Sequence, residues 1–466
     1  MKILIIVPDG VGVRNFLYSN FTDQLNEGKH EVVLYHKIST SAIEEIQKQK
    51  PFLTNFVEIP HFIENFKARL LRESLAYARI LRNEKLLQNK TIFQFWSPSK
   101  KGVKKKVLYF VAEQLGHFLS KNDSRIRKAD LLFEKEIANS KICKEIGSRL
   151  QKIQPDFILN LHQRSPVASP IISAAHKLNI QTATVIFSWD NVPKARLVSR
   201  YSYYFVWSEL MKRELQLLYP EILSSQIKIT GTPQFEFYFE KNNYRKKNFF
   251  FEIYNLDIHK KTICFSGNDL TSPYEANYLN DICEEVSKIK ESIRPQIIFR
   301  RCPVDKTTRF DKILEKYKHL LIVIDPDWST EKEGDATFTS IYPTYHDNIL
   351  LVNTIQYSDV VINLGSTMAH DAAVLDTPCL YLKYDPVLNS AYKVNDIYKF
   401  QHFKSMKGIE AVGWINAKSE ILDKIMEAIS TPEKTGKDRK QWLERIVLHP
   451  LEDNSNTLKN TIIECI

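Results

Sequence analysis

The sequence lacks several features that mark whole classes of proteins. No run approaches the roughly 18 apolar residues that a membrane-spanning helix needs. The six cysteines are scattered without a C-x-x-C pair, so we expect free, mostly buried thiols and no zinc site. There is no internal repeat or low-complexity tract, and no basic and aromatic module of the kind that binds nucleic acid. These absences favour a globular chain that does not bind nucleic acid.

The composition supports a two-domain globular protein. The chain has 466 residues, of which 43% are hydrophobic, 11% aromatic and 26% charged, enough apolar material for real cores. Its first apolar run, Ile3 to Val7, is short, and Pro8 follows at once without a small-residue cleavage site. This run predicts a first strand and not a signal peptide, so we expect a cytoplasmic protein.

Short apolar runs alternate with longer helical patterns, which predicts an α/β fold of two Rossmann-like domains. A charged helical insertion is expected at about 62–150. We place an acceptor-side domain at 1–238, a nucleotide-donor-binding domain at 239–437, and C-terminal helices that pack back on the first domain at 438–466. The predicted strands are 3–7, 31–35, 157–161, 183–187, 204–207, 262–265, 296–299, 320–324, 360–362 and 379–382.

The segment from Ser358 to Ala373 carries the strongest motif. An apolar strand turns through Gly365 into a helix that begins at Ser366 or Thr367, so two hydroxyls and backbone N–H groups meet at a helix N-terminus, where a phosphate binds well. Asp371 lies one turn later, within reach of ribose hydroxyls. The alternative is an ordinary capped helix with a surface aspartate.

This segment resembles the donor-nucleotide motif of GT-B glycosyltransferases of bacterial surface-polysaccharide biosynthesis, related to the CDP-glycerol glycerophosphotransferase-like group. Asp371 stands where the family usually has Glu. The strand end from Ile297 to Pro303 is similar to the family's Arg-Pro-His-Pro element, with Cys302 as a departure. The resemblance implies two domains that face each other across a cleft, with Arg300 facing the donor phosphates. It also implies that the first loop of the second domain, Ser266-Gly267-Asn268, approaches them.

Three residues of the first domain are candidates for catalysis. Asp9 follows the first strand in Asp9-Gly10-Val11-Gly12, a loop suited to a close ligand, and His162 follows a later strand. Asp190 lies in a Ser-Trp-Asp-Asn segment that resembles one in uncharacterised sugar-transferase-like proteins. An inverting transfer needs one general base, and either Asp or His can serve. The alternatives are that Asp190 caps a helix that Pro193 begins and that His162 is structural.

No Asp-x-Asp pair follows a strand in a setting typical of metal binding, since Pro326 makes Asp325-Pro326-Asp327 a turn. We therefore expect no metal and no cofactor, with the nucleotide sugar as a substrate and its charge held by basic residues and helix dipoles.

A basic patch, Lys100, Lys101, Lys104, Lys105 and Lys106, runs into the apolar segment Val107 to Val111, within a chain of net charge +10. This order of residues suits contact with an anionic membrane surface, so we expect a peripheral attachment at the inner face of the membrane. A solvated loop before a core helix is the alternative.

Taken together, the motifs predict an enzyme that transfers a sugar or sugar-like unit from a nucleotide-activated donor to a cell-surface glycan or lipid-linked acceptor. Two alternatives remain open: a nucleotide-sugar 2-epimerase on the same fold, for which His370 beside Asp371 is a hint, and a non-catalytic scaffold of a polysaccharide-assembly complex.

Overall fold

A computed structural model describes residues 1–98, 102–269, 271–330 and 339–466. The chain forms two compact units. Unit 1 comprises 1–234, 400–402 and 446–466, and unit 2 comprises 235–399 and 403–445. The chain therefore passes between the units more than once. The predicted division into 1–238, 239–437 and 438–466 treats each domain as one continuous segment.

Unit 1 is built on a parallel sheet in the order β3-β2-β1-β4-β5-β6-β7. In β1, five of the six residues are buried, as expected for a central parallel strand covered on both faces. The strand order reverses between β1 and β4, where Ile5 lies opposite Leu159. The strands are β1 (Lys2–Val7), β2 (Glu31–His36), β3 (Asn55–Glu58), β4 (Phe157–Asn160), β5 (Gln181–Val185), β6 (Tyr203–Val206) and β7 (Ile227–Ile229).

Helices cover this sheet, and the helical insertion predicted at about 62–150 is present as α3 to α6. Within the insertion, Leu75, Leu119 and Phe133 belong to a hydrophobic core of its own. The helices of the unit before the C-terminal segment are α1 (Phe21–Glu27), α2 (Thr40–Gln49), α3 (Phe66–Leu87), α4 (Val103–Leu119), α5 (Asp123–Ala138), α6 (Lys141–Ile153), α7 (Ser169–Lys177) and α8 (Glu209–Leu218).

Unit 2 has a six-stranded parallel sheet in the order β10-β9-β8-β13-β14-β15, and its strand order reverses between β8 and β13. A separate antiparallel pair, β11 and β12, lies between β10 and β13 in the chain. The strands are β8 (Thr262–Ser266), β9 (Gln296–Arg300), β10 (Leu321–Val323), β11 (Trp328–Thr330), β12 (Ile341–Pro343), β13 (Val360–Asn363), β14 (Cys379–Leu382) and β15 (Gly413–Ile415).

The last helices divide between the units. In α15 the fully buried Trp442 packs on His370 of unit 2, with ring centroids 4.2 Å apart, whereas α16 packs against α1 of unit 1. Residues 403–445 thus belong to unit 2 and residues 446–466 to unit 1. The remaining helices are α9 (Lys247–Ile253), α10 (Glu275–Ser287), α11 (Asp311–Lys316), α12 (Tyr345–Gln356), α13 (Met368–Val374), α14 (Ile421–Ser430), α15 (Arg439–Ile446) and α16 (Asn454–Glu464).

Candidate functional site

The point where the strand order of unit 1 reverses carries a carboxylate and a histidine. Asp9 follows β1 and His162 follows β4, and these two strands are adjacent in the sheet. The carboxyl ends of adjacent parallel strands at such a reversal form the crevice in which open α/β sheets bind ligands. The sequence indicates both residues singly, but only the sheet order brings them together.

Asp9 and His162 form a close pair. The Nδ1 atom of His162 lies 2.6 Å from Oδ2 of Asp9, and the two side chains are 7% and 9% exposed. Oδ1 of Asp9 accepts the backbone N–H of Val11, so both carboxylate oxygens have partners. An aspartate held in this way selects the tautomer in which Nδ1 carries the proton and Nε2 is the basic atom.

Two further neighbours hold His162 in place. The edge of the Phe187 ring meets the His162 ring at a centroid distance of 4.7 Å. Asn160, the last residue of β4, accepts the backbone N–H of His162 and donates its Nδ2 to the His162 carbonyl at 2.9 Å. The predicted strand 183–187 is too long at this end: β5 ends at Val185, and Phe187 lies in the segment that follows it.

Asp190 occupies a different setting. It accepts hydrogen bonds from Ser188 at 2.6 Å and from Asn191 at 3.1 Å, and it forms an ion pair with Lys194 at 2.6 Å. Although burial opposes ionisation, Lys194 and these hydrogen bonds hold the pKa of Asp190 well below its usual range. A carboxylate of such low basicity is a poor proton acceptor. The helix-cap alternative finds no support either, because Asn191 is the cap residue of the turn that begins at Val192 and its side chain makes no capping hydrogen bond.

A segment distant in sequence completes the surroundings of Asp190. Residues 400–402 belong to unit 1, where the His402 ring lies 4.5 Å from that of Trp189. Burial lowers the pKa of His402 to about 4, despite the opposing effect of Asp190, so His402 is neutral near pH 7. Sequence motifs do not identify this contact, because nothing local in the 400–402 stretch points to the first domain.

Arg164 adds positive charge near these groups. Its guanidinium donates to Oδ1 of Asn191 at 3.3 Å. Burial and the nearby Arg196 lower the pKa of Arg164, while Asp190 and Asp9 oppose this shift. The region therefore combines a histidine with its orienting carboxylate and a largely buried cation.

In unit 2, the predicted donor loops lie on both sides of the strand-order reversal. Ser266 is the last residue of β8 and Gly267-Asn268 follows it, and Gly365-Ser366-Thr367 follows β13, the neighbouring strand. Nδ2 of Asn268 donates to the carbonyl of Leu364 at 3.1 Å and ties the two loops together. These residues thus surround the crevice position of the second sheet.

Tight packing explains the two glycines in these loops. Gly365 has φ +70°, and a Cβ there would lie 2.8 Å from Cζ of Phe403. A Cβ on Gly267 would lie 3.2 Å from the backbone nitrogen of Cys302, and the Gly267 N–H donates to the carbonyl of Arg300 at 2.8 Å. Both glycines allow close backbone approach, which gives each of them a structural role.

The hydroxyls of the motif differ from Asp371 in accessibility. Thr367 is exposed and Ser366 is partly exposed, with Oγ of Ser366 accepting the N–H of Met368 at 3.3 Å. Asp371 is only 7% exposed, and it accepts a hydrogen bond from Tyr238 at 3.0 Å. Its expected contact with a ribose stays a prediction, because this carboxylate already has a protein partner.

Arg300 also has a protein partner. Its Nη2 atom donates to Oδ1 of Asp347 at 2.6 Å, and both side chains are buried. Its Nη1 atom is buried and makes no hydrogen bond within the described ranges. The guanidinium charge is compensated by Asp347, so contact between Arg300 and a diphosphate stays a prediction.

A buried ionic cluster supports the first donor loop. Glu275 accepts the backbone N–H of Asn268 at 2.7 Å, and Arg309 binds both Glu275, at 2.8 Å, and Asp305. Burial raises the pKa of Glu275 to about 8. One guanidinium thus pairs with two buried carboxylates, and Glu275 keeps its proton near neutral pH. Among the described residues, no group of three or more His, Cys, Asp or Glu side chains is placed to hold a metal ion.

Comparison with known proteins shows which solved structures have a similar fold. No protein-family model matches the sequence, and no curated protein sequence is detectably similar to it. The UDP-GlcNAc 2-epimerase of Neisseria meningitidis, solved with UDP-GlcNAc, is 11% identical, with a TM-score of 0.56 and 100% of each chain covered. The UDP-GlcNAc 2-epimerase of Methanocaldococcus jannaschii is 13% identical, with a TM-score of 0.53 and coverage of 99% of this chain and 100% of that one.

A glycosyltransferase of Rickettsia africae is 11% identical, with a TM-score of 0.52 and coverage of 100% of this chain and 98% of that one. At such low identity the likeness is one of fold: the chain has the two-domain GT-B fold of these enzymes, with parallel sheets of seven and six strands. The likeness supports the GT-B class and does not single out the CDP-glycerol glycerophosphotransferase-like group that the motifs resemble.

Proposed function

We propose that the protein is a GT-B glycosyltransferase that moves a sugar from a nucleotide-activated donor to a hydroxyl of a glycan or lipid-linked acceptor. The observation that carries the proposal is the Asp9–His162 pair at the strand-order reversal of unit 1. The GT-B fold and the nucleotide sugars bound by similar structures support the donor class.

His162 is the general base in this proposal. Nδ1–H donates to Asp9, so Nε2 is left to accept the proton of the acceptor hydroxyl as that oxygen attacks the sugar. The Asp9 carboxylate stabilises the imidazolium that forms and keeps the ring oriented. Asp190, a catalytic candidate on sequence grounds, acts instead as an ionised structural group, because Lys194 and Ser188 hold its charge.

The donor nucleotide binds at the two loops of unit 2. The hydroxyls of Ser366 and Thr367 donate to phosphate oxygens, and the amide of Asn268 keeps the two loops in register. We expect neither a metal ion nor a cofactor to be required. The acceptor is a surface glycan or a lipid-linked sugar of bacterial type, as the motif resemblance implies.

A nucleotide-sugar 2-epimerase is the second candidate, favoured by the fold likeness over the whole chain to the epimerases of Neisseria and Methanocaldococcus. His370, the sequence hint for this activity, is fully buried and packs on Trp442, so it does not act on a substrate as placed. A non-catalytic scaffold would bind nucleotide without turnover.

One assay separates the three. The protein is incubated with UDP-GlcNAc and other nucleotide sugars, with and without extracted glycan acceptors, and the products are resolved by chromatography. Transfer releases nucleotide only when acceptor is present, whereas epimerisation yields a second nucleotide sugar without acceptor. A scaffold gives neither product. Formation of an epimeric nucleotide sugar without acceptor, and no transfer when acceptor is present, would overturn the transferase proposal.

Variants then test the residue roles. His162→Gln should lower transfer on the order of 10²- to 10⁴-fold, the range of general-base catalysis, while nucleotides still raise the melting temperature. Asn268→Ala should weaken that nucleotide-induced shift. The matched control is His176→Gln, since His176 is an exposed histidine of unit 1 on α7. Normal turnover by His162→Gln would refute the assignment of the base.

A further inference from the structure

Helix α4 presents an apolar stripe to solvent. Val103, Val107, Phe110, Val111 and Phe118 are 77%, 53%, 61%, 38% and 51% exposed. At 3.6 residues per turn these positions, with Gln114 among them, lie within an arc of roughly 100°. Five large apolar side chains on one exposed face are unusual, because a helix normally turns such a face to the core.

The opposite side of α4 is already the packed side. Leu108, Ala112, Gly116 and Leu119 are buried, and a Cβ on Gly116 would lie 2.7 Å from the ring of Tyr77 on α3. The stripe is therefore not needed to hold α4 on unit 1, and it is available for a partner outside the unit.

Lysines border the stripe. Lys104, Lys105 and Lys106 in the first two turns of α4 are all exposed. By the helical repeat, Lys104 lies on one side of the stripe and Lys106 on the other, whereas Lys105 lies on the opposite side of the helix. Lys100 and Lys101 of the same basic segment lie outside the described residues. Long lysine side chains beside an apolar face reach the phosphate level of a membrane while the apolar residues enter it.

We propose that the α4 stripe and its lysines form a docking surface for an anionic lipid membrane, on which α4 lies in the plane of the interface. The charge pattern favours lipid over a second copy of the chain. Lysines on both sides of an apolar stripe match the anionic headgroups of a membrane and the acyl layer beneath them. None of the helices in the described part of the chain is long and apolar enough to cross a membrane, so the attachment proposed is peripheral.

Vesicle flotation tests the proposal independently of any transferase activity. The full chain is mixed, at low and at high salt, with vesicles of neutral phosphatidylcholine or of phosphatidylcholine containing about 30% phosphatidylglycerol. Anionic membranes of this kind have a surface potential of roughly −30 to −50 mV. We expect binding to the anionic vesicles only, and weaker binding at high salt. Replacing Lys104, Lys105 and Lys106 by Gln should weaken this binding by up to about 25-fold, since two of these lysines flank the stripe and each lysine near the surface strengthens binding about five-fold.

A second variant tests the apolar contribution. Val107→Gln with Phe110→Gln should also lower binding to the anionic vesicles at least about ten-fold, because two side chains no longer enter the apolar layer. The charge-matched control is the triple Gln variant of Lys141, Lys144 and Lys152, which are exposed on α6 and should matter little. Leu223→Gln, also exposed in unit 1, is the control for lost apolar surface.

Four outcomes would overturn the proposal: no binding of the parent at low salt, equal loss of binding in the α6 control, unchanged binding of the Val107 and Phe110 variant, or binding to neutral vesicles of the same strength. Light scattering measures the oligomeric state and so tests whether a second copy of the chain binds the stripe instead. A stable dimer of the parent that the Val107 and Phe110 variant converts to monomer would assign the stripe to a second copy.

Discussion

Replacing Glu275 by Gln should make the stability of unit 2 less dependent on pH. Glu275 and Asp305 have side chains that are 0% and 1% exposed, and both bind the single guanidinium of Arg309. Burial raises the pKa of Glu275 from 4.5 to about 8. Because the folded state holds this proton more tightly than the unfolded chain, ionisation above the unfolded pKa opposes folding.

The sign and size of the effect follow from this shift. Below pH 4.5 Glu275 is neutral in both the folded and the unfolded state, so its titration does not change the free energy of unfolding. From pH 4.5 to 8 the unfolded chain loses the proton first, so the free energy of unfolding falls, by at most about 5 kcal/mol at about 1.4 kcal/mol for each pH unit. Glutamine keeps the hydrogen bond from the Asn268 N–H through its carbonyl oxygen, but it has no charge to bury.

Denaturant unfolding at pH 5, 6.5 and 8 measures the difference between parent and Glu275→Gln, so that all other titrations cancel. The variant should gain stability relative to the parent as the pH rises. Glu291→Gln, at an exposed position in the same unit, is the control and should show no such trend. A difference that stays constant within about 1 kcal/mol across this range would mean that Glu275 is ionised throughout, and the reasoning would be refuted.

Three further predictions concern unit 1 and its packing. Gly231→Ala should destabilise the protein by about 2 to 4 kcal/mol in thermal melts, since Gly231 has φ +67° and an added Cβ would collide with Asn454. The control is Gly408→Ala. Gly408 has φ +80° and open space around it, so this variant should show only the backbone cost of about 1 to 2 kcal/mol. Arg79→Met should cost about 1.5 to 3 kcal/mol in denaturant unfolding, because it removes a buried cation from two carboxylates that Arg200 continues to bind; a cost below about 1 kcal/mol would contradict this. Asp190→Asn should lower the free energy of unfolding and have a smaller effect on the rate of transfer. Loss of transfer without a change in the free energy of unfolding would instead indicate that Asp190 is the general base.

Local sequence determined much of the architecture. Alternating apolar runs and helical patterns suffice to predict two Rossmann-like domains, since buried parallel strands require nearly continuous apolar residues whatever lies far away in the chain. The helical insertion and the two glycine-containing loops after β8 and β13 also follow from local pattern. The short edge strand β3 was missed, because only Phe56 and Val57 of its four residues are apolar and both are only partly buried, so the pattern is weak.

Tertiary structure alone decided which of the candidate residues meet. Asp9 and His162 are 153 positions apart, and sheet order makes them a pair. Arg300 and Asp190 each look available in the sequence, yet Asp347 and Lys194 neutralise them, because a charge taken out of water must find a counter-charge nearby. The residues 400–402 and the helix α16 join unit 1 for a similar reason: packing depends on complementary surfaces, and these are formed by segments whose distance along the chain carries no local signal.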